Sequence, residues 1–186
     1  MPSSPPVTAW PPRWLKTLSP LESHRFSQRD ELLARLTVRH GLRANELCAL
    51  RFVNIDMLRK QLSCTGVGRC KPRVCMLDAR EIFLIAALKE ASVALPGDPA
   101  IVLRTKSGAA MGRTDVWRVL RRIGAEAGLK TPLHTQRARR ALGHITAASV
   151  DSDALTVADT LGVQSLDAIV SYLPRHRVRR HRSLSS

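Results

Sequence analysis

The stretch from Asp78 to Leu95 constrains the fold of this chain more than any other. Asp78 and Glu81 form a D-x-x-E start, in which each side chain can satisfy a backbone N–H of the other's turn. Ile82, Phe83, Ile85, Ala86 and Leu88 follow, so a long apolar helix is expected at the centre of the core. Pro96-Gly97-Asp98-Pro99 then breaks the chain. Other runs share the helical period. Leu32, Leu33, Leu36 and Val38 recur from Ser27 to a stop at Gly41, and a second helix near Arg43 turns Leu47, Leu50 and Phe52 inward. Thr114 caps a helix to about Ala127, with Val116, Trp117, Leu120 and Ile123 inward. A further helix runs through Leu142 and Ile145 to about Ser149. Ser152 or Asp153 caps the next, which ends at Leu161-Gly162, and Ser165 caps a last one whose apolar face is Leu166, Ile169, Val170 and Leu173.

Strand signals are few. Gln61–Val67 and Arg73–Leu77 flank Gly68-Arg69-Cys70-Lys71-Pro72 and read as a hairpin with a basic turn, and Ile101-Val102-Leu103 reads as a short extended segment. With three Trp, three Phe and one Tyr, the core must consist mostly of Leu, Ala, Val and Ile, which favours helices. The expected class is therefore mainly α with a small antiparallel β-sheet, an α+β fold.

At 186 residues the chain can bury one domain core. Residues 1–26 read as a Pro-rich, flexible arm, with six prolines before residue 21. Residues 27–174 carry the periodic segments, and 175–186 form a basic tail. No apolar run approaches the ~18 residues of a membrane span, and no apolar leader opens the chain, so a cytoplasmic location is expected. Cys48, Cys64, Cys70 and Cys75 show neither C-x-x-C pairing nor a matching histidine pair, which argues against zinc and for free thiols.

The formal charge is +15, from 30 Lys and Arg against 15 Asp and Glu. A surplus of that size calls for a polyanionic partner, and double-stranded DNA fits it. Arg113, Arg118, Arg121 and Arg122 fall mostly on the outward face of the 114–127 helix, a stripe suited to phosphates. Arg139 and Arg140, with Arg175, Arg177, Arg179 and Arg180 of the tail, are further candidates for DNA contact.

Four features then stand in order: Arg43 in G-L-R-A-N-E-L-C-A-L-R, the hairpin lysine Lys71, His134 and Arg137 in H-T-Q-R, and Leu161-Gly162 followed by Tyr172, the only tyrosine. Together they resemble the boxes of the tyrosine recombinase (phage integrase) family over residues 27–174. The layout is closest to the short recombinases that invert fimbrial promoter segments. The resemblance implies a recombinase catalytic-domain fold and a site-specific recombinase, nucleoid- or plasmid-associated, working as a homo-dimer or tetramer on DNA with no metal or cofactor. It casts Tyr172 as nucleophile in a covalent 3′-phosphotyrosyl intermediate, Arg43 and Arg137 as phosphate clamps, His134 as general base on the phenol or a group that tunes its surroundings, and Lys71 as the acid that protonates the departing 5′-hydroxyl. The chemistry suits these residue types. Fixed guanidiniums neutralise charge that grows on the phosphate oxygens, and a covalent ester conserves bond energy for rejoining.

This chain departs from the family pattern at three places. Val163 follows Leu161-Gly162 where the family usually has histidine or tryptophan. Val67 stands in a G-V-G turn where it has lysine, and Ala138-Arg139-Arg140 replaces the commoner His-Thr-Phe. Losing one preorganised donor costs about 3 kcal/mol of transition-state stabilisation. The alternative is thus a catalytically impaired recombinase-fold DNA-binding protein, acting as a regulator or architectural factor.

Overall fold

The computed structural model describes residues 27–65, 71–148, 154–163, 169 and 172. The expected N-terminal arm, the hairpin turn at 66–70, the 152–153 cap, nearly all of the last helix and the basic tail lie outside the described residues.

The centre of the domain is α1 (Gln28–His40), which the D-x-x-E helix was expected to be. From Asp30 to Val38 every residue of α1 is buried. Ser27 caps its start by accepting from the Asp30 N–H, and it stops at Gly41. Hydropathy hides this helix because several of its buried residues are charged. Each finds a partner on a neighbouring element: Glu31 is forked by Arg80 at 2.9 and 2.7 Å and bonded by Arg35 at 2.9 Å, Asp30 pairs with Arg122, and His40 lies 3.0 Å from Glu81. The D-x-x-E helix, α3 (Ala79–Ser92), has the reciprocal capping box, but packs on α1 along one side only. It buries Glu81, Leu84 and Ile85, whereas Phe83 is half exposed and Val93 lies beyond its end.

Between them the chain makes a short helix, α2 (Ala44–Cys48), and a 3-10 turn, Phe52–Asn54, in place of one continuous second helix. The sheet is antiparallel in the order β1 (Ile55–Asp56), β2 (Gln61–Cys64), β3 (Arg73–Met76). Leu62 faces Cys75 and Cys64 faces Arg73 across β2 and β3, with all four side chains buried, while Ser63 and Val74 alternate outward. Ile101-Val102-Leu103 contributes only an isolated bridge, Ile101 to Arg51.

The helix α4 (Arg113–Glu126) is capped at Gly112, whose N–H donates to the Asp115 carboxylate at 2.9 Å, so Thr114 falls inside the helix. Val116, Val119, Leu120 and Ile123 are buried, but Trp117 is 44% exposed and takes no part in the core. The helix α5 (Thr135–Ala148) packs on α1 and on α6 (Ala154–Leu161). Among the described residues no helix is long and apolar enough to cross a membrane. Five elements of this frame position the site: α1 delivers Gly41 to Arg43, α2 starts there, β3 lies behind, and α5 and α6 close the opposite wall.

Candidate active site

Arg43 sits at the start of α2 with extended backbone (φ −78°, ψ 157°), and its N–H donates to Glu46 Oε2 at 2.7 Å. Arg73 of β3 forks the same carboxylate at 2.7 and 3.2 Å. Burial pushes the Glu46 carboxyl up, but the Arg73 hydrogen bonds and charge, then the Arg43 N–H and the Arg139 charge, outweigh it and hold the group below its usual value. Glu46 is therefore an ionised bolt between the Arg43 turn and the sheet.

Arg139 is buried at 6% exposure, and its guanidinium spans two walls. One Nη donates to the Gly41 carbonyl at 3.0 Å and the other to the Leu161 carbonyl. It thereby joins the segment leading into Arg43 to the end of α6, the helix that leads to the tyrosine. Gly162 follows with φ +61°, where a Cβ would lie 2.8 Å from the Lys71 carbonyl, and its own carbonyl accepts from the Lys71 N–H at 2.9 Å. Glycine is thus required where the hairpin meets the α6 turn.

Tyr172 is half-buried, with its N–H bonded to the Ile169 carbonyl at 2.8 Å. Its ring lies across Gly143 of α5, where a Cβ would stand 2.6 Å from Tyr172 Cδ1. The His144 ring meets the tyrosine edge-on at 5.4 Å, and His144 Nδ1 lies 3.3 Å from the Tyr172 carbonyl. Gly143→Ala should consequently push the ring aside. The expected result is a loss of about 1–3 kcal/mol in urea unfolding, the usual range for overpacking.

These groups open on one cleft of about 470 Å³. Arg43, Arg139 and Tyr172 line it together with Arg113 and Arg140. Thr135 and Gln136 form the rim shared with a second cleft of about 700 Å³, which Trp117, Leu120 and His134 line. Four arginines around one tyrosine suit a phosphodiester, whose two non-bridging oxygens accept charge-assisted hydrogen bonds.

The expected site residues fall into two groups. Arg43 and Tyr172 reach the common cleft, and Arg113, Arg139 and Arg140, expected as DNA contacts, line it too. Arg137 does not: its guanidinium donates to the Pro132 carbonyl at 3.3 Å. His134 accepts from the Arg137 N–H through Nδ1 at 3.3 Å, so it caps the first turn of α5 and lies in the neighbouring cleft. The arginine that meets Arg43 is Arg139, with Gln136 three residues before it at the same helical spacing. Helix geometry explains the difference, since positions two apart point to nearly opposite sides. The signal was present in the sequence: Arg139 shares the stripe of Leu142, Gly143 and Thr146, all buried.

Lys71 is exposed and absent from the cleft wall, and only its backbone docks on Gly162. Val163 donates its N–H to the Ala158 carbonyl and packs its side chain against the core, so it offers the cleft no side-chain donor. On the outer face of α4, Arg118 lies 3.6 Å from Asp115, Arg121 covers the Trp117 ring at 5.1 Å, and Arg122 pairs with Asp30. Arg175, Arg177, Arg179 and Arg180 lie outside the described residues.

Comparison with known proteins places this geometry. The chain is 25% identical over 153 residues to the type 1 fimbriae regulatory protein FimE of Escherichia coli K12, covering 81% of this chain and 77% of that protein, and equally similar to FimE of Shigella flexneri. Its fold matches the XerH site-specific recombinase bound to difH substrate in a pre-cleavage complex (TM-score 0.77, 21% identity, 94% of this chain). XerA recombinase matches with a TM-score of 0.73 at 14% identity over 100% of this chain. The chain spans 53% of the length of the XerH chain and 64% of the XerA chain. The described domain is a tyrosine recombinase catalytic fold. The model of the phage integrase family matches residues 15–177, and the chain belongs to that family.

Proposed function

We propose that this protein cuts and rejoins double-stranded DNA at a specific site through a covalent 3′-phosphotyrosyl link to Tyr172. The observation that carries the reading is the convergence of Arg43, Arg139 and Tyr172 on one cleft. In this scheme the two guanidiniums hold the non-bridging oxygens of the scissile phosphate. The Tyr172 hydroxyl attacks phosphorus, the new O–P bond replaces the bond to the 5′-oxygen, and the departing 5′-hydroxyl carries a proton away. One phosphate ester is exchanged for another, so a second 5′-hydroxyl can reverse the step without an energy source. Arg113 and Arg140 add positive field at the cleft mouth. His134, held by the first turn of α5, fixes the helix that carries Arg139 and is not assigned the proton transfer. Similarity to FimE, described as a fimbriae regulatory protein, and to a recombinase captured on DNA supports the same class of reaction. In this scheme two or four copies act on paired sites.

The test is a nicked suicide duplex containing the target site, on which cleavage releases a short 5′-hydroxyl fragment that diffuses away. A protein–DNA adduct should accumulate, and peptide mapping should place the DNA on Tyr172. Tight, sequence-specific binding with no adduct would overturn the reading in favour of a catalytically impaired DNA-binding protein of the same fold.

A further inference from the structure

Behind the Arg43 turn, on the buried face of the hairpin, two thiols approach one another. Cys64 of β2 stands opposite Arg73 and Cys75 of β3 stands opposite Leu62, so the cysteines are diagonal neighbours, with Sγ atoms 4.0 Å apart. Among the described residues the other cysteine, Cys48, lies apart on α2. A disulfide needs about 2.05 Å between sulfurs, so closure asks for roughly 2 Å of movement from two short side chains and a slight shear of the strands. The environment of Cys75 favours attack. The Cys64 hydrogen bond draws the Cys75 thiol well below its ordinary value, burial opposes this, and the hydrogen bond and charge of His40 reinforce it. The Cys64 thiol is held up, first by that same hydrogen bond and then by burial, so it stays protonated until called on.

The surroundings connect the pair to the cleft. Arg73, directly across the ladder from Cys64, forks the carboxylate that holds the Arg43 N–H, and a Cβ on Gly162 would stand 3.2 Å from its Nη1. Drawing Cys64 towards Cys75 therefore displaces the ladder partner of the residue on which Glu46 and Arg43 depend.

We propose that Cys64 and Cys75 form an oxidative-modification site, a reversible intramolecular disulfide that loosens the Arg73–Glu46 clamp and slows DNA cleavage. Formation of the bond is independent of the recombinase reading, and only its effect on cleavage rests on that reading. The oxidant is a small disulfide such as oxidised glutathione. The Cys75 thiolate attacks one of its sulfurs, forming a mixed disulfide and releasing one glutathione thiolate. Cys64 then gives up its proton and attacks the Cys75 sulfur, expelling the second. Two protein thiols lose two electrons and the oxidant is reduced to two thiols. Both cysteines keep only 6% exposure, so the exchange runs on the slow timescale of uncatalysed disulfide chemistry, minutes to hours.

The test incubates the full chain with oxidised glutathione, blocks remaining thiols by alkylation, and maps peptides by mass spectrometry. The expected product is a peptide linking Cys64 to Cys75, absent in Cys64→Ser and in Cys75→Ser. Adduct formation on the nicked duplex should fall about tenfold, the scale of a sub-ångström misplacement of a positioned group, and return on adding dithiothreitol. Cys75→Ser, which removes the attacking thiolate, should be insensitive to the oxidant, whereas Cys64→Ser should stop at the mixed disulfide on Cys75. Cys64 and Cys75 thiols that remain unlinked, or a disulfide that uses Cys48 or Cys70, would overturn the site, and a 64–75 disulfide without a rate change would overturn the gating. Should the reduced protein form no adduct at all, the recombinase reading falls while the peptide map still decides the disulfide.

Discussion

Arg139→Ala should remove covalent adduct formation by a factor of at least about 10², whereas Arg137→Ala should leave it within about threefold. The first figure follows from deleting one preorganised charged donor at a developing oxyanion. The second is the usual result of changing a half-buried side chain that is bonded to a surface carbonyl, here Pro132. Single-turnover adduct formation on the nicked duplex measures both. Arg139→Ala also strands the Gly41 and Leu161 carbonyls that the guanidinium joins, so some stability is lost with the charge. Arg139→Lys separates the two effects. It keeps the positive charge but cannot bridge both carbonyls and still present a planar fork to phosphate. A folded Arg139→Lys protein that binds DNA and forms adduct at least about tenfold more slowly is the expected result. Equal loss in Arg137→Ala and Arg139→Ala would mean that α5 turns about its axis on binding DNA.

The pair of predictions rests on a two-residue shift between motif and geometry. H-T-Q-R carries the residue types of a familiar box, and that match drew attention to His134 and Arg137. The helix places its faces by burial, however, and Ala138, Leu142 and Ile145 set which way α5 rolls. Once they are packed, the i, i+3 pair facing Arg43 is Gln136 and Arg139. Apolar spacing within the segment carried this information and the motif letters did not.

The same contrast runs through the fold. Helices read from regular apolar spacing formed close to their expected bounds, as α1 and α4 show, because burying an apolar stripe is a local demand that the sequence states directly. The position of α1 at the centre was not legible. Its buried Asp30, Glu31, Arg35 and His40 are tolerable only because Arg122, Arg80 and Glu81 arrive from distant segments. Long-range pairing of this kind leaves no periodic trace. Trp117 shows the converse. Helical spacing turned it inward, yet it stands half in solvent under Arg121, since Val116, Val119, Leu120 and Ile123 already fill the buried stripe of α4. Arg73 was missed for a related reason: a buried arginine on a short strand signals nothing until Glu46 is seen opposite it.

The most demanding of these long-range pairs is His40 with Glu81, and Glu81→Ala should destabilise the protein by about 3–5 kcal/mol, the range for removing one partner of a buried ion pair. Both side chains are fully buried, and His40 Nε2 lies 3.0 and 3.1 Å from the two carboxylate oxygens. Burial alone would push the imidazole down, but the Glu81 charge, then hydrogen bonds with Cys75 and Glu81, carry it up to about 10. A histidine raised above its ordinary value of about 6.5 contributes its full stabilisation below that pH. The contribution drains as pH climbs towards 10. Thermal melts should therefore show a midpoint falling between pH 7 and 10 in the parent chain. For Glu81→Ala the midpoint should drop by roughly 10 °C at pH 7, at about 2–4 °C per kcal/mol for a domain of this size. Its decline above pH 7 should be largely gone, because the group that held the proton has left. Glu81→Gln discriminates charge from shape: it keeps the volume and one acceptor, so a melt that recovers while the pH slope stays flat assigns the slope to the ion pair. The consequence reaches the cleft through one residue. His40 precedes Gly41, whose carbonyl Arg139 holds, and Arg43 follows two positions later. Weakening the pair should thus slow adduct formation at alkaline pH before the domain unfolds, and a cleavage rate that ignores Glu81→Gln from pH 7 to 9 would show that the end of α1 is anchored by its packing alone.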